Sequence, residues 1–286
     1  MEDAGPFPPP VVFKGGAEVR ASRAFGWPEG GGFKVWSRSW DGKAVALTPG
    51  VTALVKRLAT DGPMVVSQAV RVLTGNEHDK EGRQQIEQWQ RAGWLAVCDW
   101  RAPLADTAAL WTQQRMRLVG LGQGAMQQYQ ASPDWAWAAS TICRGVVTAQ
   151  LRLRMAVPYR WRACRPQRPL VGQFETAAGR AWVVVLRRGR NLQGQLDAFV
   201  ADYTHAQVQD EDRLWLVVPS ENAEDRDMAA TLVQREDLGA KALLTSDWAL
   251  WGGSGLESVF TRWTGAGWKP VTVSGLRAGS APAAEA

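Results

Sequence analysis

The sequence is poor in the residues from which most catalytic and metal centres are built. It has two histidines, His78 and His205, and three cysteines, Cys98, Cys143 and Cys164, in 286 residues. An odd number of widely spaced cysteines supports neither a disulfide framework nor a zinc site, and two histidines leave little for metal or acid–base work. No metal and no other cofactor is therefore expected. No run of about 18 apolar residues occurs, so no membrane span is expected. Met1-Glu2-Asp3, followed by prolines, is acidic where a secretory leader would be basic, and a cytoplasmic protein is expected. Gly252-Gly253-Ser254-Gly255 has the glycines of a phosphate loop but not its Lys-Ser/Thr pair, and Ser254 has no evident histidine partner. Carboxylates are missing from one long segment, with none between Trp135 and Phe174.

What is present describes a globular chain, 45% hydrophobic and 21% charged, long enough for two domains. The net charge is +5, and 26 of the 33 basic residues are arginine. Arginine suits phosphate and base recognition, but the same excess follows from codon usage in a GC-rich genome. The 16 tryptophans are scattered rather than periodic, so most belong to cores and no repeat architecture is indicated.

The stretch from Thr48 to Gly122 has the pattern of a winged helix-turn-helix. Thr48-Pro49 is a helix start, a hydroxyl at the N-cap and proline at N1. Val51, Leu54, Val55 and Leu58 follow at helical spacing, and Asp61-Gly62-Pro63 ends that helix. A second helix begins near Ser67, with Arg71 outward. A third runs from about Asp79 to Ala92, with Ile86 and Trp89 inward and Gly93 at C′. Trp94 to Arg101 and Thr107 to Thr112 suit the two strands of a wing, with Arg101 near its tip. Helical spacing resumes from Gln114 to Leu121. In such a head the outward face of the third helix enters the major groove. Arg83 would bond guanine, Gln84 or Gln88 adenine, and Arg71, Lys80 and Arg91 phosphates or bases. The same polar residues are equally ordinary for a solvated helix face. Nine Lys and Arg against seven Asp and Glu in this stretch make a weak electrostatic footprint.

Residues 1–32 are rich in Gly and Pro and expected to be extended or flexible. Phe33 to Leu47 reads as a β-hairpin turning at Asp41-Gly42. Residues 123–158 form a helical connector, with one or two helices from Asp134 to about Met155. The acid-free segment carries Arg144, Arg152, Arg154, Arg160, Arg162, Arg165 and Arg168, which would track a phosphate backbone or pair with the acidic stretch Asp210 to Asp237. Residues 159–275 then alternate. Tyr159–Cys164 is a strand, Leu170–Thr176 and Arg180–Arg188 a hairpin, and Asn191–Thr204 a helix. Leu214–Val218 is a buried strand, and a helix runs to about Arg235. Ala242–Ser246 is a further strand, and a hairpin closes the domain around Gly265-Ala266-Gly267. That is an α/β or α+β core. Residues 276–286 are expected to be disordered.

The order of parts resembles the replication-relaxation family of plasmid- and mobile-element-associated proteins. The residues carrying the resemblance are Leu110-Trp111-Thr112 with Arg117-Leu118-Val119-Gly120-Leu121-Gly122, then Trp182–Arg188, Leu192–Tyr203, Arg213–Pro219 and Leu243–Ser246. It implies an α+β chain, an N-terminal winged helix followed by a restriction-endonuclease-like α/β core. A nuclease of that core needs an acid in the first hairpin strand and an acid-x-lysine set in the second, so that carboxylates hold a cation beside a phosphate. Ala181-Trp182-Val183-Val184-Val185-Leu186-Arg187-Arg188 contains no carboxylate, and Glu175 is alone in the first strand. An inactive core is expected, and no catalytic residue is assigned.

The leading expectation is thus a non-enzymatic protein of a plasmid, phage or other mobile element, acting in replication or transcription control. It would read double-stranded DNA, alone or as a homodimer, through the winged helix with auxiliary arginine contacts. The alternatives are an adaptor subunit binding protein partners in a nucleoprotein complex, and a metal-dependent nuclease using Glu175 with Asp197 or Glu211.

Overall fold

Capping and apolar spacing set the first helix of the computed structural model. It describes residues 19–22, 32–36, 46–100, 116–131, 139–164, 168–177, 179–187, 192–206, 208–209, 211–219, 223–252 and 254–276. The helix, α1 (Pro49–Asp61), starts where Thr48 accepts a hydrogen bond from the Val51 N–H at 3.4 Å, and it buries Val51, Leu54, Val55 and Leu58. The chain forms two compact units divided between Ala149 and Gln150.

In the first unit α1 is followed by β3 (Met64–Val65), α2 (Val66–Thr74), α3 (Lys80–Arg91), β4 (Leu95–Trp100), β5 (Met116–Leu121) and α4 (Gln123–Gln128). Two strands, β1 (Val19–Ser22) and β2 (Gly32–Trp36), precede them. The sheet order is β1-β2-β4-β5-β3, all antiparallel. A long helix, α5 (Ala139–Arg154), runs through the division between the units. Gln68 of α2 ties the first unit together. Its Oε1 accepts from the Val65 N–H at 3.0 Å and its Nε2 donates to the Val146 carbonyl at 3.0 Å, so a buried amide is satisfied at both ends.

Two expectations need correction here. Met116–Leu121 is a strand paired along its length with β4, from Leu95↔Leu121 to Trp100↔Met116, not a helix. Leu118, Val119, Gly120 and Leu121 are buried in succession, and such a run does not by itself separate buried strand from helix. The returning wing strand assigned to Thr107–Thr112 lies outside the described residues, and β5 takes the place beside β4. The partners of β2 are β1 and β4 rather than the following arm of a hairpin, and Val19–Ser22, within the stretch read as extended or flexible, forms a strand. The second arm of the expected hairpin is also outside the described residues.

The second unit holds a seven-stranded mixed sheet. Its strands are β6 (Arg160–Ala163), β7 (Leu170–Thr176), β8 (Gly179–Val185), β9 (Arg213–Val218), β10 (Ala242–Ser246), β11 (Phe260–Trp263) and β12 (Trp268–Val271), in the spatial order β12-β11-β10-β9-β8-β7-β6. Only β8–β9 and β9–β10 are parallel. Their crossovers contain α6 (Leu192–His205) and α7 (Ala223–Arg235). The central parallel strands β9 and β10 are buried on both faces, which explains the apolar runs 214–218 and 242–244. On one face Trp182, Val184, Leu214, Leu216 and Leu244 pack with Leu196 and Phe199 of α6 and Leu232 and Val233 of α7. On the other, Tyr159, Trp161, Phe174, Trp215 and Phe260 form a chain of rings with centroids 4.7 to 5.5 Å apart. The architecture is mixed α+β, and no described helix is long and apolar enough to cross a membrane.

Candidate nucleic-acid interface

Helix α3 is anchored at both ends. Asp79 at the N-cap accepts from the Gly82 N–H at 2.7 Å. At the other end Gly93 donates to the Gln90 carbonyl at 3.1 Å and Trp94 to the Trp89 carbonyl at 3.0 Å, with Gly93 at φ 77°. This pair of bonds closes the helix in the left-handed turn that glycine favours. Gly82, Ile86 and Trp89 are buried. A Cβ at Gly82 would stand 2.9 Å from Val70 Cγ1, so α2 and α3 touch through that bare backbone. Asp79→Ala should cost about 1 kcal/mol, read as a lower urea midpoint. No shift in that midpoint would show that the cap does not help hold α3.

The opposite face of α3 presents Lys80, Glu81, Arg83, Gln84, Glu87, Gln88 and Arg91, all exposed. Arg91 Nη2 lies 3.5 Å from Glu87 Oε2 across one turn, a pair that is weak in water. The structure therefore brings the five residues expected on this helix, Lys80, Arg83, Gln84, Gln88 and Arg91, onto one row. It also places two carboxylates beside them. Arg71 sits half-buried in the last turn of α2. Arg101 lies outside the described residues.

The arginine-rich segment is less available than its composition suggests. Arg144 is only 3% exposed, which corrects its assignment as a surface backbone contact. Arg154 donates through Nη1 to the carbonyls of Ala249 and Leu250, both at 2.8 Å, at the end of the short helix α8 (Asp247–Trp251). Arg168 pairs with Asp202 at 2.8 Å and donates to the Ala198 carbonyl at 3.1 Å. Arg162 lies 3.2 Å from Glu175, and Arg152 stacks over the Trp161 ring at 5.4 Å. Arg160 is exposed, and Arg165 lies outside the described residues. An acid-free sequence segment does not imply unpaired arginines, because partners come from other strands and from helix-end carbonyls.

Two of the three acids named for a nuclease, Glu175 and Asp197, are committed elsewhere. Glu175 accepts from Gln173 Nε2 at 3.0 Å besides its contact with Arg162. Directly opposite it on β8 stands Arg180. Asp197 bonds Arg235 at 2.9 Å and Gln193 at 2.7 Å, and these bonds hold its carboxyl below the usual carboxylate range. Glu211 is exposed in a turn. Among the described residues no three His, Cys, Asp or Glu side chains gather as a metal site would require. His78 and His205 are both exposed.

Sequence reasoning did not single out Gln173 or Asp212, both buried and both hydrogen-bonded to the polar end of the β7–β8 hairpin. The signal that finds them is cross-strand register, which is set by pairing rather than by local composition.

The architecture defines a two-unit α+β protein with an exposed polar helix face. Comparison with family models, with curated proteins and with solved structures gives no match to this chain.

Proposed function

We propose that the first unit is a winged helix that reads duplex DNA through α3, in a non-enzymatic protein of a plasmid or other mobile element. The observation that carries this reading is the single exposed row Lys80, Arg83, Gln84, Gln88 and Arg91 on a helix capped at both ends. The order α1–β3–α2–α3–β4–β5 is the order of a winged helix, and it leaves the row pointing away from Ile86 and Trp89. Arginine and glutamine are the side chains that bond guanine and adenine edges bidentately. The second unit, on this reading, is a restriction-endonuclease-like core that has lost its carboxylates. Support comes from its β6–β7–β8 meander followed by two parallel crossovers and from an arginine opposite Glu175.

The test is selection from a random duplex library with the full chain. An enriched motif is expected. Arg83→Ala with Gln84→Ala should abolish preference at the contacted base pairs, worth about 1–3 kcal/mol for each bidentate contact. No motif at low or moderate salt would overturn the reading. A second reading, an adaptor that binds protein through α3, is favoured by Glu81 and Glu87 on the same exposed row. It would be supported by absent DNA binding together with co-purification in a nucleoprotein complex that is lost on Gln84→Ala with Gln88→Ala.

A further inference from the structure

The outer end of the second unit's sheet carries a charge pattern that packing does not require. Strand β6 is the sheet's edge. Its residues stand in register with β7 and β8, giving two rows across the three strands. One is Arg160–Glu175–Arg180 and the other is Arg162–Gln173–Trp182. Directly opposed side chains share a face about 4.5–5.5 Å apart, so Arg160, Arg162 and Arg180 surround Glu175. The carboxylates here are recessed and occupied. Glu175 is 25% exposed and takes Arg162 and Gln173. Asp212 is 4% exposed and takes Arg180, Trp182 and the Gln209 N–H. The guanidiniums lie further out, with Arg162 54% and Arg180 38% exposed. Each spends its Nε on its carboxylate and keeps its outer N–H groups. Two arginines match two carboxylates. Arg160 is surplus, exposed and without an ion pair among the described residues.

An edge strand needs protection from pairing with another chain, and a charge of either sign supplies it. The uniform choice of arginine goes further than that. We infer that this face, centred on Arg160, Arg162 and Arg180, is a contact surface for the phosphates of a nucleic-acid strand, independent of base sequence. Phosphate oxygens fit the forked outer N–H groups that the internal pairs leave over. Recessed carboxylates keep the guanidiniums oriented without cancelling the outward field. The residues are distinct from those of α3, so the inference stands or falls apart from the reading of that helix.

The experiment is titration of the full chain with a labelled random 30-base-pair duplex at several salt concentrations between 50 and 200 mM. Four variants are compared, Arg160→Gln with Arg162→Gln, Arg160→Gln alone, Arg83→Ala with Gln84→Ala, and that last pair with Arg160→Gln added. Each phosphate contact contributes about 0.9 to the slope of log affinity against log salt. The Arg160/Arg162 double variant should lower that slope by about 1.8 and weaken binding equally on all sequences. Arg160→Gln alone sets no carboxylate opposite Glu175 and breaks no internal pair. It should lower the slope by about 0.9, with an unchanged melting temperature. The Arg83/Gln84 variant should lose any sequence preference yet show the same drop in slope when Arg160→Gln is added. An unchanged slope in the correctly melting Arg160→Gln protein would overturn the inference. So would absence of binding by the native chain, or competition by polyglutamate as effective as by duplex, which would indicate an acidic protein partner.

Discussion

Asp212→Ala should destabilise the protein by about 2 kcal/mol, mainly the cost of orphaning one buried donor, with smaller losses from a part-buried backbone bond and a half-exposed ion pair. The Asp212 carboxylate is buried just before β9 and accepts three bonds. They come from Arg180 Nε at 2.8 Å, Trp182 Nε1 at 2.9 Å and the Gln209 N–H at 3.0 Å. Arg180 is 38% exposed and recovers water when the partner is lost, so its share is small. The Trp182 indole is 7% exposed and its N–H has no water to turn to, so it carries most of the loss. Asp212→Asn keeps one acceptor and should cost less than the alanine. Urea unfolding of the three proteins, followed by tryptophan fluorescence, checks the order native, Asn, Ala. A loss below about 1 kcal/mol for alanine, the net worth of one ordinary hydrogen bond, would show that the three bonds are not jointly needed.

Gly122→Val should destabilise the first unit by about 3 kcal/mol or more, the upper range for forcing atoms into a packed site. Gly122 joins β5 to α4 and donates to the Trp94 carbonyl at 2.9 Å. Its φ of −83° is open to any residue, so the constraint is space. A Cβ there would overlap the Gly93 carbonyl oxygen and stand 2.7 Å from the Trp94 carbonyl carbon. These are backbone atoms of the turn that ends α3, and they cannot swing aside as a side chain would. The valine should therefore shift α3 as well as lower stability, and any DNA binding through α3 should fall with it. Gly75→Ala supplies the contrast. Gly75 is at φ 79° with nothing within 4 Å of the added atom, so only the left-handed backbone penalty of roughly 1–2 kcal/mol applies. Equal effects at the two glycines would refute the steric account.

The sequence by itself determined the elements whose signals are local. Thr48-Pro49 places the start of α1 because a hydroxyl cap and an N1 proline act within one turn. The same holds for Asp79 and Gly93 around α3, and for the row of polar residues opposite Ile86 and Trp89. The apolar run Leu214–Val218 was legible as a buried strand, because it is short, carries Trp215 and two valines, and is ended by Pro219. The missing carboxylates of β8 were also legible, since composition alone excludes an acid where none is encoded.

Tertiary structure decided what depends on pairing across the chain. Met116–Leu121 became a strand because β4 offered a full antiparallel register, and its apolar pattern was compatible with either element. The fate of the arginines was equally non-local. Arg168 found Asp202, Arg154 found the carbonyls ending α8, and Arg144 was buried, while Arg160 stayed outside on an edge strand. A side chain's charge is written in the sequence. Whether that charge is spent inside the fold or offered to a partner is set by neighbours that lie tens of residues away, because ion pairing acts through space over a few ångströms.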